Sequence, residues 1–175
     1  METAVAALII ITVILFGVLT LGHGYLSAQE GMMQSWRAME AQAGQRARTA
    51  VHIQAAVVSA GGDTVQVSVR NDGSTKLADF PLWDVVLEYS SPSAPVARWY
   101  PYATGGAPGA NQWAVQGIYQ DAGHTLVEAY NPGILDPGEE MVISIRVSPP
   151  VAAGSALAAA VCTPNGVVSW RAETP

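Results

Sequence analysis

From Thr3 to Leu21 the chain carries no charge; after Glu2, the next charged residue is Glu30. The run AVAALIIITVILFGVL has no polar stripe, and a helix that is apolar all round must be enclosed on every side by lipid or by protein. Nineteen residues of helix rise about 28 Å, close to the hydrocarbon thickness of a bilayer. Whatever follows must therefore fold so that this helix finds its cover elsewhere. A basic flank is missing, and the apolar run is too long for the core of an ordinary secretory signal, so removal by ordinary signal peptidase is not expected.

The helical pattern continues past the apolar run, to about residue 49. No proline occurs before Pro81, so nothing forces a break. Gly17, Gly22, Gly24, Gly31 and Gly44 weaken the helix modestly, and LGHGY, Leu21 to Tyr25, is the expected bend or local melt. Beyond it Met33, Trp36, Ala43 and Ala47 recur at helical spacing, with Glu40, Gln42, Arg46 and Arg48 interleaved. This half opens with the acid Glu30 and closes with the bases Arg46 and Arg48, the direction a helix dipole favours. A helix this long measures roughly 70 Å, more than twice the bilayer core, so it must enter a second environment.

At Val51 the period switches to two. VHIQAAVVSA, a Gly61-Gly62-Asp63 turn and TVQVSVR predict a hairpin, with Val65, Val67 and Val69 on one face. Asn71-Asp72-Gly73 is the next turn. LWDVVLEY alternates Trp83, Val85, Leu87 and Tyr89 against Asp84 and Glu88. VARWYPY, QWAVQGIY, TLVEAY and MVISIRV follow as strands; Thr104 to Asn111 is an exposed loop, and Asn131 to Glu140 a connection punctuated by proline and glycine. ALAAAVCT and VVSWRAE, joined by Pro164-Asn165-Gly166, close the chain as a hairpin. The expected fold class is α+β: a long N-terminal hydrophobic helix over 1–50, then an all-β, Ig-like sandwich or flattened barrel of eight or nine antiparallel strands over 51–175.

Composition narrows the function. The net charge of -6 and a single lysine, Lys76, leave no basic cluster to neutralise phosphates, so nucleic acid is not an expected partner. One cysteine, Cys162 in ALAAAVCTP, excludes an intramolecular disulfide and reads as a buried small hydrophobe. His23, His52 and His124 have no second histidine or cysteine at i+2 or i+4 and are not expected to hold a metal. Asp136, Glu139 and Glu140 lack calcium-loop spacing and read as a solvated turn, as Asp63, Asp72 and Asp79 read as turn residues. Gly105, Gly106 and Gly109 do not lead into a helix, so they form no phosphate cradle. No G-x-S-x-G or P-loop occurs. Trp83, Trp99, Trp113 and Trp170 lie in alternating strands, which favours packing over a carbohydrate platform. No cofactor, metal or catalytic constellation is expected, and the chain reads as a non-enzyme.

The AVAALIIITVILFGVLTLG run, the Val-Arg-Asn-Asp-Gly-Ser-Thr turn at 69–75, NPGILDPGEEMVISI at 131–145 and Pro164-Asn165-Gly166-Val167 together resemble an archaellin. Archaellins are the subunits of the archaeal-type flagellum, within the type IV filament superfamily. The resemblance implies a precursor whose short basic leader is cut by a dedicated membrane peptidase just before the helix, with Met1 as the processing end. It implies membrane insertion before assembly, extraction by an export ATPase and a polytopic membrane platform, and polymerisation with copies of itself. The implied core positions are Ala4, Ala6, Ala7, Leu8, Ile10, Ile11, Ile14, Leu15, Gly17, Val18, Leu21, Met33 and Trp36. Bacterial type IV pilins usually carry Phe first and Glu fifth; Met1 and Val5 stand there, and Glu2 is the nearby acid, which could pair with the amino group of a neighbour's Met1. Archaellins often bear N-linked glycans, but this chain has no N-x-S/T acceptor. The expectation is a motility filament subunit located outside the cell. Alternatives are an adhesive pilin, a membrane-anchored β-sandwich stator or accessory protein of the same machinery, and an anchored extracellular enzyme or binding module.

Overall fold

A computed structural model describes residues 2–173. It divides into two compact units, Met1–Gly44 and Gln45–Pro175. The helix α1 runs over Glu2–Arg48 without interruption. The expected bend at Leu21 to Tyr25 is absent: isolated glycines cost a helix only about 1 kcal/mol each and, without proline, every backbone hydrogen bond survives. Met1 lies outside the described residues, as does the side chain of Glu2.

Eight strands follow: β1 Val51–Val58, β2 Thr64–Asn71, β3 Asp84–Ser90, β4 Pro95–Tyr100, β5 Gln112–Tyr119, β6 Glu140–Arg146, β7 Leu157–Cys162 and β8 Val168–Glu173. They form two antiparallel sheets, ordered β1-β2-β6-β5 and β4-β3-β7-β8. A sandwich results because each strand has one apolar face to hide. Val65, Val67 and Val69 on β2 pair with Ile145, Ile143 and Met141 on β6, and all six are fully buried. From the opposite sheet Val85, Leu87 and Tyr89 alternate inward, joined by Leu157, Ala159 and Val161. Trp113 and Tyr100 complete the core, and Tyr102 packs edge-on against Trp113 at 4.8 Å.

One expected strand does not form. TLVEAY makes a single bridge, Val127 to Tyr119. Side chains intercept the backbone donors that a ladder would use. The Asp121 carboxylate accepts the N–H of Thr125 and of Leu126, and Glu128 accepts those of Tyr130 and Asn131. The segment is thereby a capped loop rather than a ninth strand.

Candidate functional site

The helix and its attachment form the candidate assembly site. Every position from Thr3 to Ala43 is exposed, including all the apolar ones. Leu8, Ile10, Ile11, Ile14, Leu15, Val18 and Leu21 each expose more than half their surface. Thr12 and Thr20 do not break the apolar character of the run. Thr12 donates its hydroxyl to the Leu8 carbonyl at 2.8 Å and Thr20 to the Phe16 carbonyl at 2.7 Å, so both polar groups are satisfied within the helix. Gly17 has open space where a side chain would sit, as do Gly22, Gly24 and Gly31. This surface meets lipid and an apolar protein neighbour equally well.

Where the last turn of α1 ends, two separate turns converge, and a third stretch joins them through Asn71. Thr49, the residue after α1, is buried; its hydroxyl bonds the Gln45 carbonyl and accepts from Asn165 Nδ2 at 2.7 Å. Arg46 donates to the Gly166 carbonyl at 3.0 Å. From the β2 end, Asp72 and Gly73 donate backbone N–H groups to the Ala50 carbonyl, and Ser74 donates to that of Arg48. The last carbonyl of the helix, that of Arg48, is thus met by a turn of the β domain, while Thr49 covers those of Gln45 and Arg46. Asn71, fully buried, builds the next layer: its amide donates to Thr75 O at 2.8 Å and Leu135 O at 3.0 Å, while its Oδ1 accepts from Gly73 N. Lys76 pairs with Asp136 at 2.9 Å alongside. Three stretches singled out from the sequence, 69–75, 131–145 and 164–167, are therefore one connected collar.

The connection before β6 is not the solvated turn expected. Glu139 and Glu140 are both buried. Glu139 accepts the Asp136 N–H at 2.8 Å, and burial, with the Glu128 carboxylate facing it, pushes its carboxyl up. Glu128 is held down at about 2 by the Gln120 amide and by the Asn131 and Tyr130 N–H groups. Glu140 lies 2.7 Å from His124 Nε2. These acids are consumed in shaping the loop, and among the described residues no group of three or more His, Cys, Asp or Glu is placed to hold a metal ion.

The tryptophans divide. Trp83 and Trp113 are core residues, whereas Trp99 and Trp170 are exposed. The register sets Trp99, Val86, Ala160 and Trp170 in one row across the outer face of the second sheet. Trp99 is pinned there by donating its indole N–H to Asp84 at 2.8 Å. Alternation alone could not separate these from core residues, because it does not say which face of a strand is inward. Cys162 points to the same side and is half-buried rather than buried; burial raises its thiol.

No protein-family model matches this chain, and no curated protein matches it. Solved structures do. The archaellum periplasmic stator protein FlaG from Sulfolobus acidocaldarius is 20% identical over 71% of this chain and 99% of its own, with a TM-score of 0.51. A chain of the archaellum periplasmic stator protein complex FlaF and FlaG, from the same organism, matches 70% of this chain and 87% of its own at 20% identity and the same score. The archaeal flagellum of Methanospirillum hungatei strain JF1 is 14% identical, with a TM-score of 0.51, over 94% of this chain and 89% of its own. This chain shares its fold with archaellum proteins. The stator match is about as long as the β sandwich, whereas the flagellum match is too long to fit within Gln45–Pro175 and so includes helix.

Proposed function

We propose that this chain is the structural subunit of an archaeal-type flagellum, polymerising through α1 into a helical filament for swimming. The observation that carries this reading is the helix itself. It is exposed and apolar over a bilayer's length and then continues for more than 25 residues with further exposed apolar side chains. An anchor needs the first part only. A filament core needs both, because each helix must be enclosed by its neighbours along its whole length. The flagellum likeness over 94% of the chain supports the same reading.

In this reading Ala4, Ala6, Ala7 and Gly17 let neighbouring helices approach closely, while Leu8, Ile10, Ile11, Ile14, Leu15, Val18, Leu21, Met33 and Trp36 fill the space between them. The subunit waits in the membrane after leader cleavage at Met1. An export ATPase and a membrane platform move it into the filament. The chain is a building block, not an enzyme, and the sandwich faces the exterior with Thr104 to Asn111 at the surface. The stator likeness favours a second reading, an envelope-side β sandwich held by a membrane anchor.

Electron microscopy of material purified from cells distinguishes the two. Long filaments built from this chain, and loss of swimming on its deletion, are expected. Membrane-bound monomers without filaments would replace the first reading with the second; filaments with unimpaired swimming would make it an adhesive pilin.

A further inference from the structure

The half of α1 beyond the membrane-length segment has four sides, one of which carries Gln29, Glu40, Met33 and Leu26 and mixes polar with apolar residues. At about 100° per residue, Tyr25, Met32, Trp36 and Met39 fall in one sector about 60° wide. Each exposes 62–72% of its surface. Next to them, centred about 100° round the axis, lie Gly24, Ala28, Gly31, Ser35 and Ala38, all small and uncharged. A Cβ added at Gly24 or Gly31 would meet nothing within 4 Å, and Ser35 folds its hydroxyl back onto the Gly31 carbonyl at 2.9 Å. The third side carries Ser27, Glu30, Gln34 and Arg37 and is polar. The large residues recur at spacings of seven, four and three, Gln29 standing between Tyr25 and Met32, and the small ones at 24, 28, 31, 35 and 38 lie one residue before this series, so ridge and groove run parallel along the same stretch.

We propose that this stretch docks a second copy of the chain ridge into groove, so that each helix inserts its Tyr25–Met39 ridge into the Gly24–Ala38 groove of one neighbour and receives the ridge of another. The proposal rests on the filament reading and names the contact that reading needs. Three features select a second copy in this arrangement. The four ridge side chains expose on the order of 600 Å², approaching the roughly 800 Å² that one partner contributes to a standard interface. Lipid is not the cover, because Glu30, Arg37 and Glu40 lie on the same turns. Copies leaving one membrane run in the same direction, and at equal height ridge against ridge would set Trp36 on Trp36 and Glu40 beside Glu40, a steric and like-charge conflict that ridge into groove avoids at any offset that keeps the spacing. Because the two faces differ, the contact is heterologous and does not close on itself.

Disulfide trapping in a Cys162→Ala background tests it, since a disulfide needs Cα atoms about 4.4–6.8 Å apart. Met32→Cys is combined in turn with Gly24→Cys, Ala28→Cys, Gly31→Cys, Ser35→Cys or Ala38→Cys, and separately with Ser27→Cys or Gln34→Cys. At least one groove pair is expected to give a ladder of covalent multimers on oxidation, with none from Met32→Cys alone or from the polar-side pairs. Ladders from Met32→Cys alone or from the polar side overturn the proposal, as does the absence of ladders in preparations where microscopy shows filaments. Absence of filaments from the unaltered chain overturns the filament reading instead. A steric pair needs no oxidation: Gly31→Leu should cut sedimentable filament at least ten-fold and Gln34→Leu should not. Equal effects of the two overturn the groove.

Discussion

Asn165 donates its side-chain amide to the Thr49 hydroxyl at 2.7 Å, joining positions 116 apart in sequence. The contact ties the turn of the last hairpin to the residue that ends the helix. Replacing Asn165 with Ala removes this bond and the one from Thr163, leaving the buried Thr49 hydroxyl short of a donor. The expected cost is about 1–2 kcal/mol in urea unfolding of the detergent-solubilised chain. An unchanged midpoint would mean that the collar does not contribute to stability.

Gly73 sits where a side chain cannot. An added Cβ would meet the Arg48 carbonyl at 2.5 Å and the Ala50 nitrogen at 2.6 Å, both backbone atoms with no room to yield. Gly73→Ala should therefore destabilise the domain by about 1–3 kcal/mol, more than alanine at Gly105, which has nothing within 4 Å. Thermal melts of the two variants side by side provide the comparison.

The loop before β6 predicts a pH response in two directions. Glu128 is held at about 2, below its ordinary 4.5, so its contribution is complete above pH 4.5 and is lost as pH falls toward 2. Glu139 is shifted upward by burial, so its contribution is present at low pH and is lost as pH rises through its folded value. Glu128→Gln should lower the melting temperature at pH 7 and flatten the acid limb of the stability curve. Glu139→Gln should raise the melting temperature at pH 7, since an amide oxygen still accepts the Asp136 N–H without a buried charge. Melting curves from pH 2 to 8 check both signs.

Ile10 is exposed, on a helix that the filament reading places in the filament core. A lysine there should abolish filaments while leaving the melting of the β sandwich unchanged, because no core residue of the sandwich lies on α1. Normal filaments from Ile10→Lys, seen by microscopy, would rule out a bundled helical core.

The two classes of tryptophan should behave oppositely. Trp113→Ala empties a fully buried site and should cost about 3–5 kcal/mol. Trp170→Ala, at a side chain 71% exposed, should change stability by less than about 0.5 kcal/mol. Chemical denaturation of the monomeric chain measures both.

Short-range patterns made much of this fold readable. Charge exclusion over Thr3–Leu21 specified the helix, because one unpaired charge in an apolar environment is expensive. Alternation at Val65–Val69 and Met141–Val147 specified strands with one apolar face each, because a strand's side chains point to opposite sides in turn. Turn residues at Gly61–Asp63, Asn71–Gly73 and Pro164–Gly166 marked the connections by their backbone preferences. The helix itself was also readable through to about residue 49, since helical spacing is local.

Tertiary structure decided what depends on distant partners. TLVEAY has the composition of a strand, yet Asp121 and Glu128 capture its backbone donors. Glu139 and Glu140 look like solvated acids, yet folding buries them against Asp136 N and His124. Trp99 and Trp170 share the alternation of Trp113 but face outward, because sheet order and register, not pattern, assign the faces. Sequence alone determined that this chain has a helix its own β sandwich is too small to enclose. Only the fold showed that the turns at 71–74 and 164–167 meet the chain where the helix ends, at Arg48–Ala50, because hydrogen bonds between residues 116 apart are set by chain topology and leave no local periodicity.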